Sequence, residues 1–313
     1  MSKIISFINY KGGVGKTTTT YHIGCSLSYH YNKKVLLVDI DPQSNLTFLC
    51  KDYESWENFK RKNGTILNLF NNYINKISDS IKKHLWQNPI GYDNHTKIYN
   101  LDLLPCDLDL LGEDIIVRNP IENPSVIESN PFRHLQKQSK ETLRYYLFLH
   151  RVLAEVKNQY DYILIDCPPN IYMMTQNALI ASDYYIITTI PEYLSLIGLN
   201  ILQNKIEMIG REIKQLSNYA AERNIKIAKL GGIIFVKVRI GGQMITKQHL
   251  NNMNDISTKY HLEVFNNYTT EMIGYSEAAE NRLPIWFVSS QNAKNAAKKL
   301  EYEKITQEFL RRF

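Results

Sequence analysis

Short runs of consecutive apolar residues punctuate the chain, and between them apolar positions recur three and four residues apart. KIISFIN (3–9), KVLLVDI (34–40), LDLL (101–104), YDYILID (160–166), YYIITTI (184–190) and LGGIIFV (230–236) read as strands. Strands this continuously apolar belong to sheets covered on both faces. The stretches at about 17–31, 141–158, 173–181, 197–222, 243–259 and 290–312 read as helices; in the first, Ile23, Leu27 and Tyr31 fall on one side. Strand and helix alternate, which predicts an α/β fold: a mostly parallel, twisted sheet with helices on both faces, joined by right-handed crossovers.

Residues 51–100 break this rhythm. They are polar and rich in Asn, Lys and aromatics (Trp56, Phe59, Phe70, Tyr73, Trp86) and read as a helical excursion between strands. Residues 118–131 contain three prolines and read as a surface loop. No internal repeat and no Pro/Ser-rich linker divides the chain, so one domain over residues 1–313 is expected.

Composition narrows the class. Hydrophobic residues are 44% and charged residues 22%, which excludes a disordered chain and a coiled-coil rod. No apolar run approaches the roughly 20 residues that span a bilayer, and the N-terminus lacks the pattern of a signal peptide. The four cysteines (Cys25, Cys50, Cys106, Cys167) form no CxxC pair and read as reduced thiols of a cytoplasmic protein. Formal net charge is +6. Residues 201–260 hold ten Lys or Arg against four Asp or Glu, a local excess equal to that of the whole chain. Such a segment is either a solvated helix face or a surface for nucleic acid or acidic lipid.

The sharpest chemical signal is Lys11-Gly12-Gly13-Val14-Gly15-Lys16-Thr17-Thr18, placed after a strand and before a helix. Glycines let successive backbone N–H groups turn toward one anion, and the helix N-terminus adds partial positive charge. Lys16 can reach the β- and γ-phosphates of a nucleotide, and the Thr17 hydroxyl can ligate Mg²⁺. Tyr10 stands where the plain GxxxxGK[ST] pattern has its first glycine, and Lys11 adds a second lysine, giving xKGGxGK[ST]. Asp39 and Asp41 lie at the end of one apolar run and Asp166 at the end of another. Ligands bind at the carboxyl edge of open α/β sheets, so the three carboxylates are candidates for a Mg²⁺ site and for positioning water.

With KGGVGKTTT, LLVDIDPQSN, YDYILIDCPP and IPEYLSLIGLNIL in this order, nearly the whole chain resembles the ParA/MinD family of deviant Walker A ATPases, and within it the ParA/Soj branch. The resemblance implies a P-loop NTPase-like fold and slow, partner-stimulated ATP hydrolysis with Mg²⁺. Lys11, Gly12, Gly13, Val14, Gly15, Lys16, Thr17 and Thr18 would hold the nucleotide. Thr17, Asp39 and Asp166 would organise the metal ion, and Asp41 would orient the attacking water. Lys11 would reach the partner's ATP in a homodimer, where its charge answers the phosphate that ADP lacks. The implied role is partition of a plasmid or chromosome, or positioning of another large cargo. The ATP dimer would bind double-stranded DNA non-specifically, be nucleoid-associated, and be released by a ParB-like or other cargo-bound activator.

The DNA surface is a departure from that pattern. Arginines expected after the strand at 231–238 meet Gly241 or Gly242, and the later element reads Tyr268-Thr269-Thr270-Glu271-Met272-Ile273-Gly274-Tyr275-Ser276-Glu277-Ala278-Ala279, without arginines and without the proline expected near the adenine. Lys205, Arg211, Lys214, Lys237, Arg239 and Lys247 are the replacement candidates for phosphate contacts. The loop begins by residue 11, which leaves no room ahead of it for a helix-turn-helix. Two alternatives stay open. A MinD-like ATPase cycling on a membrane or other surface would use an amphipathic C-terminal helix. Here Leu300, Tyr302, Ile305 and Phe309 also suit a core helix, and Glu301, Glu303 and Glu308 would repel anionic lipid, so membrane is not the expected surface. A metal-cluster carrier on the same fold would need bridging cysteines, whereas Cys25 and Cys167 read as buried.

Overall fold

Strand β1 (Lys3–Ile8) runs through the middle of the molecule, and its side chains alternate between two apolar clusters. Ile4 and Ile8 enter one cluster; Ile5 and Phe7 enter the other. The same period of two recurs in β2 (Val35–Asp39), with Leu36 and Val38 on one side and Val35 and Leu37 on the other. This two-sided burial is why the strands read as unbroken apolar runs.

The computed structural model describes residues 2–91, 93, 95–111, 131–222, 225–242, 244–258, 262–288 and 300–313. Within them a seven-stranded sheet is ordered β3-β4-β2-β5-β1-β6-β7, with β3 (Trp86–Gln87), β4 (Leu101–Leu104), β5 (Tyr162–Asp166), β6 (Tyr184–Thr189) and β7 (Lys229–Phe235) completing the set. All neighbours are parallel except β3, a two-residue antiparallel edge on β4. One face carries α4 (Ile66–Ile74), α5 (Pro131–Tyr146), α6 (Phe148–Ala154), α7 (Met173–Ala181) and α8 (Tyr193–Ala220). The other carries α1 (Lys16–Tyr31), α2 (Asn45–Cys50) and a C-terminal helix, α11 (Glu301–Arg312). Three further helices, α3 (Tyr53–Asn63), α9 (Lys247–Thr258) and α10 (Gly274–Glu280), and a small hairpin of β8 (Ile240–Gly241) and β9 (Met244–Ile245) complete the described elements. Each fully buried Ile, Leu or Phe contributes about 1.5–3 kcal/mol relative to exposure.

Several boundaries differ from those the sequence suggests. The helix expected at 141–158 starts at Pro131 and breaks at Leu147 into α5 and α6. Asn177 takes both backbone groups freed by the break: its Oδ1 accepts from the Leu149 N–H and its Nδ2 donates to the Tyr145 carbonyl. The Pro-rich stretch at 118–131 lies outside the described residues apart from Pro131, as do residues 290–299 of the expected last helix.

In the 51–100 region, Asp52 caps α3 by accepting from the Ser55 N–H, Trp56 is buried and donates Nε1–H to the Cys106 carbonyl, and Phe59 stacks on Trp86 at 4.5 Å. The antiparallel edge strand is a feature the sequence reading did not contain. In α11, Tyr302, Ile305 and Phe309 are buried, which leaves the core reading of this helix rather than a free amphipathic one; Leu300, ahead of it, is exposed. Its glutamates do not face solvent as a charged stripe. Glu308 accepts from the N–H groups of Asn266 and Asn267, and Glu301 from Thr270 N–H and the Tyr275 hydroxyl. Among the described residues no helix is long and apolar enough to cross a membrane.

Candidate functional site

The loop from Lys11 to Gly15 closes onto the N-terminus of α1, which begins at Lys16. Gly13 and Gly15 have φ of 73° and 72°, the left-handed region that side chains resist. At Gly15 a Cβ would also approach Val236 Cγ2 to 3.3 Å, so glycine there serves both the turn and the packing. The loop and the first turn of α1 (Gly12 to Thr18) line a cavity of about 550 Å³ together with Asp41, Gln43 and Lys237.

Lys16 is almost fully buried, and its ammonium donates to the Lys11 carbonyl at 3.3 Å. Burial pulls its pKa down; the charges of Asp166 and Asp41 hold it up. Strand register explains the neighbouring carboxylates. Asp39 on β2 pairs directly with Asp166 on β5, so two buried acids stand side by side on adjacent strands. Asp39 has both oxygens occupied: Oδ2 accepts from the N–H and hydroxyl of Thr47 (2.8 and 2.7 Å) and Oδ1 from the Asp41 N–H (3.1 Å). Burial still raises its pKa to about 7, against the pull of the Thr47 bonds. Neither oxygen of Asp166 meets a donor in hydrogen-bonding geometry. Burial first, and then the adjacent Asp39 charge, push its pKa well above the carboxylate range, while the nearby Thr17 hydroxyl favours the ionised form. An orphaned buried carboxylate beside a lysine and a threonine hydroxyl suits a hydrated divalent cation. Among the described residues no three His, Cys, Asp or Glu side chains cluster as a metal cage. Asp41 lies at the cavity wall, its Oδ1 accepting from the Gln43 N–H.

Lys11 points elsewhere. Its ammonium meets Glu192, at the N-terminal cap of α8, at 2.9 Å. His22, nearly two turns into α1, ties the loop's helix to the C-terminal part of the chain. Its Nδ1–H donates to the Thr18 carbonyl and its Nε2 accepts from the Ile285 N–H, with the ring stacked on Tyr302 at 4.6 Å. Burial lowers its pKa to about 4.

The basic candidates scatter. Lys205, Arg211 and Lys214 lie on α8 and Lys247 opens α9. Arg239 is paired with Glu271 at 3.2 Å and Arg211 with Glu207 at 3.5 Å. Lys237 is not part of that group in space: its ammonium donates to the Gly13 carbonyl at 2.9 Å, inside the nucleotide-sized cavity. Sequence reasoning did not single out Glu192, Asn9 or Thr47. Only Glu192 had a signal, lying within the IPEYLSLIGLNIL segment.

A glycine loop between a buried central strand and a helix, in a parallel sheet of this order, is the arrangement of a P-loop NTPase. The AAA domain family matches residues 2–218. The chromosome-partitioning ATPase Soj of Treponema pallidum is 28% identical over 315 residues, covering 100% of this chain and 98% of that one. The sporulation initiation inhibitor protein Soj of Bacillus subtilis is 33% identical over 217 residues, 68% of each chain. A plasmid partition protein of Borrelia burgdorferi solved with AMPPNP shares the fold, with a TM-score of 0.64 at 24% identity over 100% of both chains. The chain belongs to the ParA/Soj-type partition ATPases.

Proposed function

We propose that this chain is a nucleotide-driven switch that partitions DNA or positions another large cargo. It binds ATP and Mg²⁺ in the cavity at the loop, closes into a homodimer through Lys11, and holds double-stranded DNA non-specifically in that state. A cargo-bound, ParB-like activator then stimulates its slow hydrolysis.

The observation that carries this reading is the meeting, in one cavity, of the glycine loop, the Lys16 side chain and Asp41, with the buried Asp166 carboxyl close enough behind them to act on the Lys16 charge. The loop N–H groups and Lys16 receive phosphate, and desolvation makes the lysine's charge count for more than it would in water. Thr17 and Asp166 would hold the metal ion, with Asp39 keeping the Asp41 turn in place; the ion would neutralise charge on the phosphates. Asp41, buried yet on the wall, would orient a water molecule. Exposed apolar side chains beside the loop supply a face for a second copy: Tyr10, Tyr172, Tyr193 and Leu194. The crystallised Borrelia burgdorferi relative was bound to AMPPNP, which supports a nucleoside triphosphate as the ligand.

DNA would be read through phosphates alone, by Lys205, Arg211, Lys214, Arg239 and Lys247, with no sequence preference. The test uses the Asp41→Ala protein, in which hydrolysis should be arrested and the ATP dimer should persist. Binding to random-sequence duplex is measured with ATP, with ADP and without nucleotide across a salt series. Binding with ATP only, with a steep negative salt slope, and its loss in the Arg239→Glu, Lys247→Glu double variant are expected. An ATP dimer that binds no DNA would remove DNA as the surface. A monomeric Asp41→Ala protein in saturating ATP would overturn the switch itself.

A further inference from the structure

Lys11 is fixed at both ends of its residue. Its N–H donates to Asn9 Oδ1 at 3.0 Å, and Asn9 in turn donates Nδ2–H to the Thr188 carbonyl at the end of β6. The chain leaving β6 reaches Glu192 four residues later, and that carboxylate receives the Lys11 ammonium. One strand end therefore anchors the lysine's backbone and supplies the acceptor for its charge. The ammonium is thereby drawn away from the cavity that its own loop lines.

Glu192 has a second option. It is the N-cap residue of α8, but its side chain makes no capping bond. A helix N-terminus offers free N–H groups and partial positive charge to a carboxylate in that position. Arg239 and His249 also lie close enough to Glu192 to favour its ionised form. The carboxylate thus has a place to go when Lys11 leaves, which makes two discrete arrangements: lysine-bound and helix-capping. The Lys11 and Glu192 side chains are 47% and 37% exposed, so the pair is strong enough to bias Lys11 and weak enough to be broken.

We propose that Glu192 is a positioning residue that retains Lys11 in its own subunit until the triphosphate of a second copy competes for the ammonium, and so sets the protein concentration at which the dimer closes. This rests on the reading that Lys11 acts across the dimer. ADP, with less charge at the reach of the lysine, cannot displace the carboxylate, so the pair sharpens discrimination between the two nucleotides.

The test is sedimentation velocity of the full chain with AMPPNP and with ADP, for the wild type, Glu192→Gln, Glu192→Asp and Lys11→Ala. An exposed pair is worth a factor of about 1.4–5, and a dimer breaks two, so Glu192→Gln should lower the AMPPNP dimer dissociation constant about 2- to 30-fold. Glu192→Asp should fall between Gln and wild type; it carries the test alone if Gln does not fold. The gap between Gln and wild type should shrink as salt screens the bridge, a change that a merely structural role would not produce. Lys11→Ala should stay monomeric. An unchanged or weaker dimer in Glu192→Gln, with Lys11→Ala monomeric, overturns the proposal and leaves the switch reading standing. Lys11→Ala dimerising like wild type overturns both.

Discussion

The Lys237 ammonium lies 2.9 Å from the Gly13 carbonyl oxygen, joining the end of β7 to the phosphate loop across 224 positions of sequence. A loop that aims its N–H groups at an anion must turn some carbonyls outward. Lys237 satisfies one of these with a charged donor. The residue itself sits at φ 52°, a left-handed turn that brings the side chain back over the strand end.

Removing that contact should loosen the loop without emptying it. Lys237→Ala is expected to raise the ATP dissociation constant about three- to tenfold, the net worth of an ordinary hydrogen bond of about 0.7–1.4 kcal/mol. Lys237→Arg should recover part of the loss. Titration with a fluorescent ATP analogue reads both.

Lys16 has no such substitute. It is the buried cation of the cavity, and Lys16→Ala should weaken ATP binding by about a hundredfold or more. Equilibrium dialysis with labelled ATP checks this, and wild-type affinity in the variant would remove Lys16 from the site.

Asp166 makes stability and turnover move in opposite directions. Its carboxylate is buried without a donor beside Asp39. Asp166→Asn removes the penalty of burying an ionisable carboxyl, one whose pKa burial beside Asp39 pushes well above the carboxylate range, and should stabilise the nucleotide-free protein by about 1 kcal/mol. The same change should reduce ATP hydrolysis by about a hundredfold or more if the proposed role of Asp166 at the ion holds. A thermal melt and a phosphate-release assay on one preparation test the pair of signs.

His22 predicts an acid sensitivity. Its pKa is about 4 in the folded chain and near 6.5 unfolded, so below pH 6.5 the unfolded state binds the proton and the folded state does not. Its contribution to stability is complete above pH 6.5, falls by on the order of 3 kcal/mol between pH 6.5 and 4, and changes no further below that. Urea unfolding of wild type and His22→Gln across this range isolates it: the wild type should lose more stability on acidification than the variant does.

The strands were legible in the sequence because both sheet faces are covered, which writes them as continuous apolar runs such as YILID. The loop was legible because helix, glycine and lysine are contiguous in KGGVGKTTT. What escaped has a common physical origin in contacts made across long separations. Lys237 read as one more cation in a basic segment, because the left-handed turn that sends it to Gly13 leaves no mark in composition. Glu192 lay in a quoted segment but gained meaning only when β6 placed it against Lys11. The break at Leu147 depends on Asn177, thirty residues on, and apolar spacing alone would carry the helix straight through it. The glutamates of α11 read only as charges that would repel anionic lipid, whereas Glu308 is buried under backbone donors from 266 and 267.

The strand order also sets a timetable. β1 and the loop are synthesised ahead of every other strand of the sheet, but β1 lies between β5 and β6, and β5 separates it from β2. A nascent chain holding residues 1–150 has the glycines and both lysines and none of the strands that flank β1. Asp166 arrives with β5 and Lys237 only after β7. The loop, made before both strands that flank β1, is therefore among the last parts of the sheet to acquire its working shape. Completion of the cavity thus waits on β5, β6 and β7, and requires slow, long-range strand insertion.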